Sequence, residues 1–260
     1  MKLALSICII SFLSLGQNLF GQPKEQLMPK NMDLYLLIGQ SNMAGRGNIE
    51  PDFALQGNER LWMLTKQGEW FPAKHPLHFD KPNMVGVGPG LAFGLDMLNS
   101  GGSPIGLIPC AVGGSAISSW QAGGYDAATK TYPFDDAVIQ LKKALASGQL
   151  KGIIWHQGEA DSSPEKRKDY LAKLATMIST WRNLVNHPNL PFVAGEIGPF
   201  NDKHQAFNLE LNKLPNLVTR TAVASSQGLK DKGDHLHFDA ASATELGKRF
   251  ALKMKQLQEQ

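Results

Sequence analysis

Leu36-Leu37-Ile38-Gly39-Gln40-Ser41-Asn42-Met43-Ala44-Gly45-Arg46-Gly47 is the stretch whose reading decides the fold. An apolar run from Leu34 to Ile38 stops at Gly39, and a polar cluster with two more glycines follows at once. A buried parallel strand reads this way, ending at the carboxyl edge where open α/β sheets place their sites. Ser41 stands just past that edge. Its hydroxyl is expected at a strand tip beside the free N–H groups of the next turn or helix, groups that also suit an oxyanion. Taken alone, the position favours a serine capping the following helix, a very common use. The other motifs of the chain favour the nucleophile.

The same pattern recurs outward along the chain. Asp33 to Gly39 reads as the first strand. Ile105 to Pro109 is a second, followed by Ala111-Val112-Gly113-Gly114-Ser115. Gly152 to Trp155 is a third and runs into His156-Gln157-Gly158-Glu159. Pro191 to Ile197 and Leu217 to Ala224 supply a fourth and a fifth. Helical spacing fits Pro89 to Leu98, Asp135 to Ala146, Asp202 to Leu214 and Ala240 to Leu257. Ser163-Pro164-Glu165 opens a long helix to about Val185, with a serine cap, proline at the first helical position and an acid in the first turn. In the helix from Asp135, the residues Ala137, Val138, Leu141, Ala144 and Leu145 form the expected inward face. Strand and helix alternate about five times, so the expected class is α/β, with a mainly five-stranded parallel sheet and helices on both faces. Asn48 to Pro89, rich in Pro, Gly, His and Trp, reads as an irregular segment flanking the site.

The 260 residues carry 42% hydrophobic and 19% charged side chains, as an ordinary globular protein does. A net charge of +3 is too small and too scattered to argue for a nucleic-acid or membrane-surface partner. Met1-Lys2 precedes an apolar run from Leu3 to about Leu15 and a small, polar stretch ending at Gly21-Gln22. Residues 1–22 read as a signal peptide, its apolar run short of the ~20 residues of a membrane helix. Residues 23–260 then form one domain, in a secreted or periplasmic protein. Of the two cysteines, Cys8 goes with the signal and Cys110 stays, read as a buried small apolar residue at a strand end.

The chemistry expected at the strand ends is that of a seryl hydrolase: a nucleophile, a base, an acid that orients the base, and N–H donors for a tetrahedral oxyanion. Ser41 is the nucleophile candidate. His237 is the base candidate, three residues after Asp234, so one short loop presents both. His235 shares the loop, but alternation points it elsewhere. Gly113-Gly114 brings bare backbone close to a substrate. Gln157 offers a side-chain amide to the same oxyanion. Glu159 is either a second acid or a support for the loops. Neither His75 with His78 nor His235 with His237 has a third metal ligand at useful spacing, and no dinucleotide-binding glycine pattern follows a strand. No metal or cofactor is expected. No Gly-x-Ser-x-Gly elbow surrounds Ser41, which argues against the usual α/β-hydrolase.

Four blocks in order, "GQSNMAGRG", "CAVGGSAISSW", "WHQGEAD" and "DHLHF", resemble the signatures of the SGNH hydrolases, and more closely the sialate O-acetylesterase-type domain and carbohydrate esterase family six. The resemblance runs from about residue 33 to the C-terminus. It implies a flavodoxin-like three-layer α/β/α sandwich and hydrolysis of acetyl esters on carbohydrates, without a cofactor. It implies Ser41 as nucleophile, His237 as base, and Ser41, Gly114 and Gln157 as the oxyanion hole. For the acid it leaves Asp234, preferred here, and Glu159. Gln40, Asn42, Ser115, Trp120 and His156 are expected to bind substrate, with Trp62, Trp70, Phe71 and Phe79 as further aromatic candidates whose commoner use is core packing. The alternatives are a carbohydrate-binding domain without catalysis and a short-chain esterase for other acyl groups.

Overall fold

The computed structural model describes residues 29–54, 57–98 and 102–260; the expected signal peptide lies outside them. Among the described residues, seven strands form one sheet: β1 (Met32–Gly39), β2 (Leu61–Leu64), β3 (Trp70–Pro72), β4 (Ile105–Pro109), β5 (Gly148–His156), β6 (Phe192–Gly195) and β7 (Thr221–Ala224). Their order is β3-β2-β4-β1-β5-β6-β7. All pairings are parallel except β2 with β3. The five expected strands are β1, β4, β5, β6 and β7. The two additional ones, β2 and β3, come from the segment read as irregular. They are four and three residues long, too short to show a period, and Pro72 sits on the edge strand, where a missing N–H costs no ladder bond.

β1 lies at the centre because both its faces are apolar. Met32, Leu34, Leu36 and Ile38 enter one core with the helices Pro133–Ala144, Tyr170–Leu184 and Asp202–Leu211. Tyr35 and Leu37 enter the other, with Pro89–Leu98 and Ala240–Gln258. Alternation of period two thus sorts one strand between two helical layers, giving an α/β three-layer sandwich. The chain leaves β1, builds β2 to β4 on one side, then crosses to β5 on the other. The strand order therefore reverses at β1, the kind of position at whose carboxyl edge open α/β sheets place their sites.

Three expected helices differ in detail: the one from Asp202 ends at Leu211, and a separate turn, Leu214–Leu217, follows it before the strand begins at Thr221. Ser163 caps its helix by accepting from the Lys166 N–H, with Pro164 at the first position, but that helix ends at Arg167 and a second begins at Tyr170. The break turns Tyr170 inward, where its hydroxyl donates to Gln157 O at 2.9 Å and accepts from Trp155 Nε1 at 3.0 Å. In Pro133–Ala144, Ala137, Leu141 and Ala144 are buried, but Val138 is only half-buried and Leu145 lies past the helix end, exposed. Among the described residues, no helix is long and apolar enough to cross a membrane.

Candidate active site

Ser41 is the first residue of a single helical turn, Ser41–Ala44, immediately after β1. Gly39 makes that turn possible. Its φ is +135°, and a Cβ there would lie 2.1 Å from His156 O on β5. With no side chain between them, the two main chains meet and the Gln40 N–H donates to His156 O at 2.9 Å. The Gln40 side chain stays below the surface, where its Oε1 accepts from the Gly158 and Ala160 N–H groups.

His237 comes from the other end of the chain, on a loop closed by the bridge between Asp231 and Phe238. Its Nε2 is 3.0 Å from Ser41 Oγ, and its Nδ1 is 2.8 Å from Asp234 Oδ2. The other Asp234 oxygen accepts from the main-chain N–H groups of Leu236 and His237, at 3.0 and 2.7 Å. Burial pushes the Asp234 carboxyl up, but these N–H donors and the His237 ring outweigh it and hold the group down at about 2. Asp234 is therefore a carboxylate throughout the neutral range, an acceptor for the Nδ1–H tautomer that leaves Nε2 free to accept from the serine. His235 takes a positive φ of 54° and points into solvent, its side chain 83% exposed.

Asn42, next to Ser41, holds this loop in place. Its Oδ1 accepts from the Phe238 N–H at 3.0 Å, and its Nδ2 donates to Leu236 O at 3.1 Å. The residue after the serine thus grips the main chain on both sides of the histidine. The same Nδ2 donates to Glu159 Oε1 at 2.5 Å. Of the two carboxylates the sequence offered, Asp234 is the one on the imidazole, and Glu159 is on Asn42.

After β4, the Val112 N–H donates to Gly39 O at 2.9 Å, which ties the Gly113-Gly114 loop to the base of the serine turn. Gly114 has φ +88°, and a Cβ there would meet nothing within 4 Å, so this glycine borders open space. Neither the Ser41 nor the Gly114 N–H has a protein acceptor among the described residues. Gln157 differs from expectation. Its Nε2 donates to Asp161 Oδ2 at 2.6 Å and to Ser115 O at 3.2 Å, and the residue is fully buried. Both amide hydrogens are committed within the protein, so Gln157 braces the Ser115 turn and has none left for an oxyanion. Asp161 completes the brace by accepting from the Ile117 N–H at 2.8 Å.

The expected substrate contacts also need correction. Ser115, Trp120 and His156 are buried, and the Ser115 hydroxyl, the Trp120 indole N–H and His156 Nε2 are engaged internally. Trp120 Nε1 donates to Ser115 Oγ, and Ser115 Oγ donates to Val112 O. Trp120 packs edge-on against Trp155, with ring centroids 5.3 Å apart. His156 pairs with Glu196 O between Phe238 and Phe250, and burial, the largest influence on it, pushes its pKa down. Gln40 and Asn42 are buried supports as well. Trp62 and Trp70 belong to the core, while Phe71 is exposed and Phe79 half-buried. Cys110 is half-buried after β4, and burial raises its thiol pKa, so it is a poor nucleophile.

Sequence reasoning missed Arg46, Asp80 and Asp161. Arg46 lies within the first block, but Asp80 is 34 residues away in the irregular segment and belongs to no pattern. Among the described residues, no group of three or more His, Cys, Asp or Glu gathers as a metal site would.

A profile of the family described as carbohydrate esterase, sialic acid-specific acetylesterase, matches residues 31–256. A probable carbohydrate esterase of Arabidopsis thaliana is 30% identical over 255 residues, spanning 87% of this chain and 92% of the relative. The X-ray structure of that Arabidopsis protein superposes with a TM-score of 0.78 at 27% identity, covering 88% of this chain and 99% of that one. Two further structures share the fold. A carbohydrate acetylesterase from Xanthomonas citri has a TM-score of 0.69 at 21% identity, covering 87% of this chain and 57% of that one. NanS has a TM-score of 0.70 at 18% identity, covering 88% and 98%. With nearly the whole described chain matched, this protein belongs to the sialic acid-specific acetylesterase family of carbohydrate esterases.

Proposed function

We propose that this carbohydrate esterase removes acetyl groups from sugar hydroxyls by a Ser-His-Asp mechanism, and that it works outside the cytoplasm. The observation that carries the reading is the chain of two contacts, Ser41 Oγ to His237 Nε2 at 3.0 Å and His237 Nδ1 to Asp234 Oδ2 at 2.8 Å. His237 takes the serine proton as Oγ attacks the acetyl carbonyl, and Asp234 stabilises the imidazolium that forms. The Ser41 and Gly114 N–H groups receive the oxyanion. The intermediate then collapses as the imidazolium protonates the departing sugar oxygen, which leaves as the free hydroxyl. Water, deprotonated by His237, attacks the acetyl-enzyme, and acetate leaves as the proton returns to Ser41. The reaction calls for no cofactor.

The acetyl preference is supported by the place of Ser41, which is only 7% exposed and lies against His237 of the histidine loop. Export is supported by the sequence of residues 1–22. The test is acetate release from acetylated xylan and from O-acetylated sialic acid, with 4-nitrophenyl acetate and 4-nitrophenyl butyrate as simple esters. The reading expects release from at least one acetylated carbohydrate and a steep fall from acetate to butyrate. Hydrolysis of the simple esters with no fall, and no release from either glycan, would replace it with a general short-chain esterase.

A further inference from the structure

Arg46 and Asp80 form an ion pair at 3.0 Å, with side chains only 2% and 3% exposed. A buried pair of this kind seldom stabilises a fold more than apolar residues of the same shape would, so its energy alone does not account for it. Its contacts do. Arg46 Nη1 donates to Gly45 O at 2.8 Å, and the Gly45 N–H donates to Ser41 O at 2.9 Å, closing the serine turn. On the other side of the pair, Asp80 Oδ2 accepts from the Gly113 N–H at 2.7 Å. A Cβ on Gly113 would lie 2.4 Å from Arg46 Nη2 and 2.6 Å from Asp80 Oδ2, so the glycine is what lets the ion pair touch the main chain.

We propose that Arg46 and Asp80 are positioning residues that fix the direction of the Gly114 N–H relative to Ser41. The proposal rests on the reading of Gly114 as an oxyanion donor. Gly114 is held from both sides: the Gly113 N–H is anchored on Asp80, and the Ser115 N–H donates to Val112 O at 3.2 Å. A glycine in the left-handed region has no side chain of its own to resist rotation, so the neighbouring anchors set where its N–H points. One buried ion pair thereby joins the turn that carries the nucleophile to the loop that receives the charge.

The test compares wild type, Asp80→Ala and Asp80→Asn on 4-nitrophenyl acetate, and measures inhibition by phenylboronic acid. Boron binds the serine oxygen as a tetrahedral adduct that presents an oxygen where the oxyanion would lie. Removing one oxyanion donor costs about 10²–10³ in kcat, and misaiming one is expected to cost up to about 10². Asp80→Ala should therefore lower kcat by about 10²-fold with KM nearly unchanged, and raise Ki for phenylboronic acid in parallel. Asp80→Asn keeps an oxygen for the Gly113 N–H and should recover about tenfold of that loss. If Asp80→Ala does not fold, Asp80→Asn decides alone, with about a tenfold loss in kcat and a matching rise in Ki expected. A folded variant with wild-type kcat, or a loss of kcat without a rise in Ki, overturns the proposal. Ser41→Ala is assayed alongside: if it retains activity, the serine mechanism itself fails, an outcome separate from failure of the positioning role.

Discussion

Glu159 meets Asn42, not His237: its Oε1 accepts from Asn42 Nδ2 at 2.5 Å, while the imidazole rests on Asp234. The two carboxylates therefore predict different variants. Asp234→Asn removes the acceptor for Nδ1–H and permits the wrong tautomer, so kcat should fall by about 10³–10⁴-fold. Glu159→Gln disturbs only the residue that grips the histidine loop, and a loss of about tenfold is expected, in line with supporting residues around other sites. Steady-state kinetics on one acetyl ester compares the two. A larger loss from Glu159→Gln would make Glu159 the acid.

Gly39 predicts a stability effect with a backbone cause. Alanine there would combine a φ of +135° with a Cβ 2.1 Å from a main-chain oxygen that cannot swing away. Gly39→Ala should cost more than about 3 kcal/mol in urea unfolding, the range reached when strain and a core clash act together. A loss within about 0.5 kcal/mol, as for an ordinary surface change, would mean that the β1–β5 contact yields easily.

Buried histidines give the fold a pH dependence. Burial pushes His75 down to about 4 and His78 down to about 3, the latter against a smaller upward pull from Asp80. His78 Nδ1 accepts from the Ala111 N–H, which requires the neutral ring. Unfolded, both rings bind a proton near their ordinary 6.5, while the folded protein refuses it until about 4 or below. The unfolded state thus binds more protons in that window, and stability is full above about pH 6.5 and falls as pH drops toward 4. Urea midpoints at intervals across that window measure the slope. His78→Gln should flatten the curve, and an unchanged slope in both His78→Gln and His75→Gln would assign the acid sensitivity elsewhere.

What the sequence showed and what it hid divide along physical lines. Parallel strands buried on both faces are long apolar runs, so β1, β4 and β5 were legible along with the polar residues at their tips. Ser41, Asp234 and His237 were legible because each sits where a strand or a short loop leaves little freedom. β2 and β3 were hidden, being too short to carry a period. Gln157 and Trp120 misled, because side-chain type shows which hydrogen bonds are available but not which partners take them. Gln157 lies against Asp161, four residues away, and Trp120 against Ser115, five away, and both internal bonds leave the side chains beneath the surface. The pair of Arg46 and Asp80 was invisible because nothing in one dimension links an irregular segment to a glycine loop 33 residues further on.

The most direct test of the account is the mass of the enzyme quenched in acid within milliseconds of mixing with excess 4-nitrophenyl acetate, followed by peptide mapping. An added acetyl group is expected on the peptide containing Ser41, lost on incubation at neutral pH and absent from Ser41→Ala. Turnover at the wild-type rate by Ser41→Ala, or an acetyl group carried on another residue in its place, would contradict it.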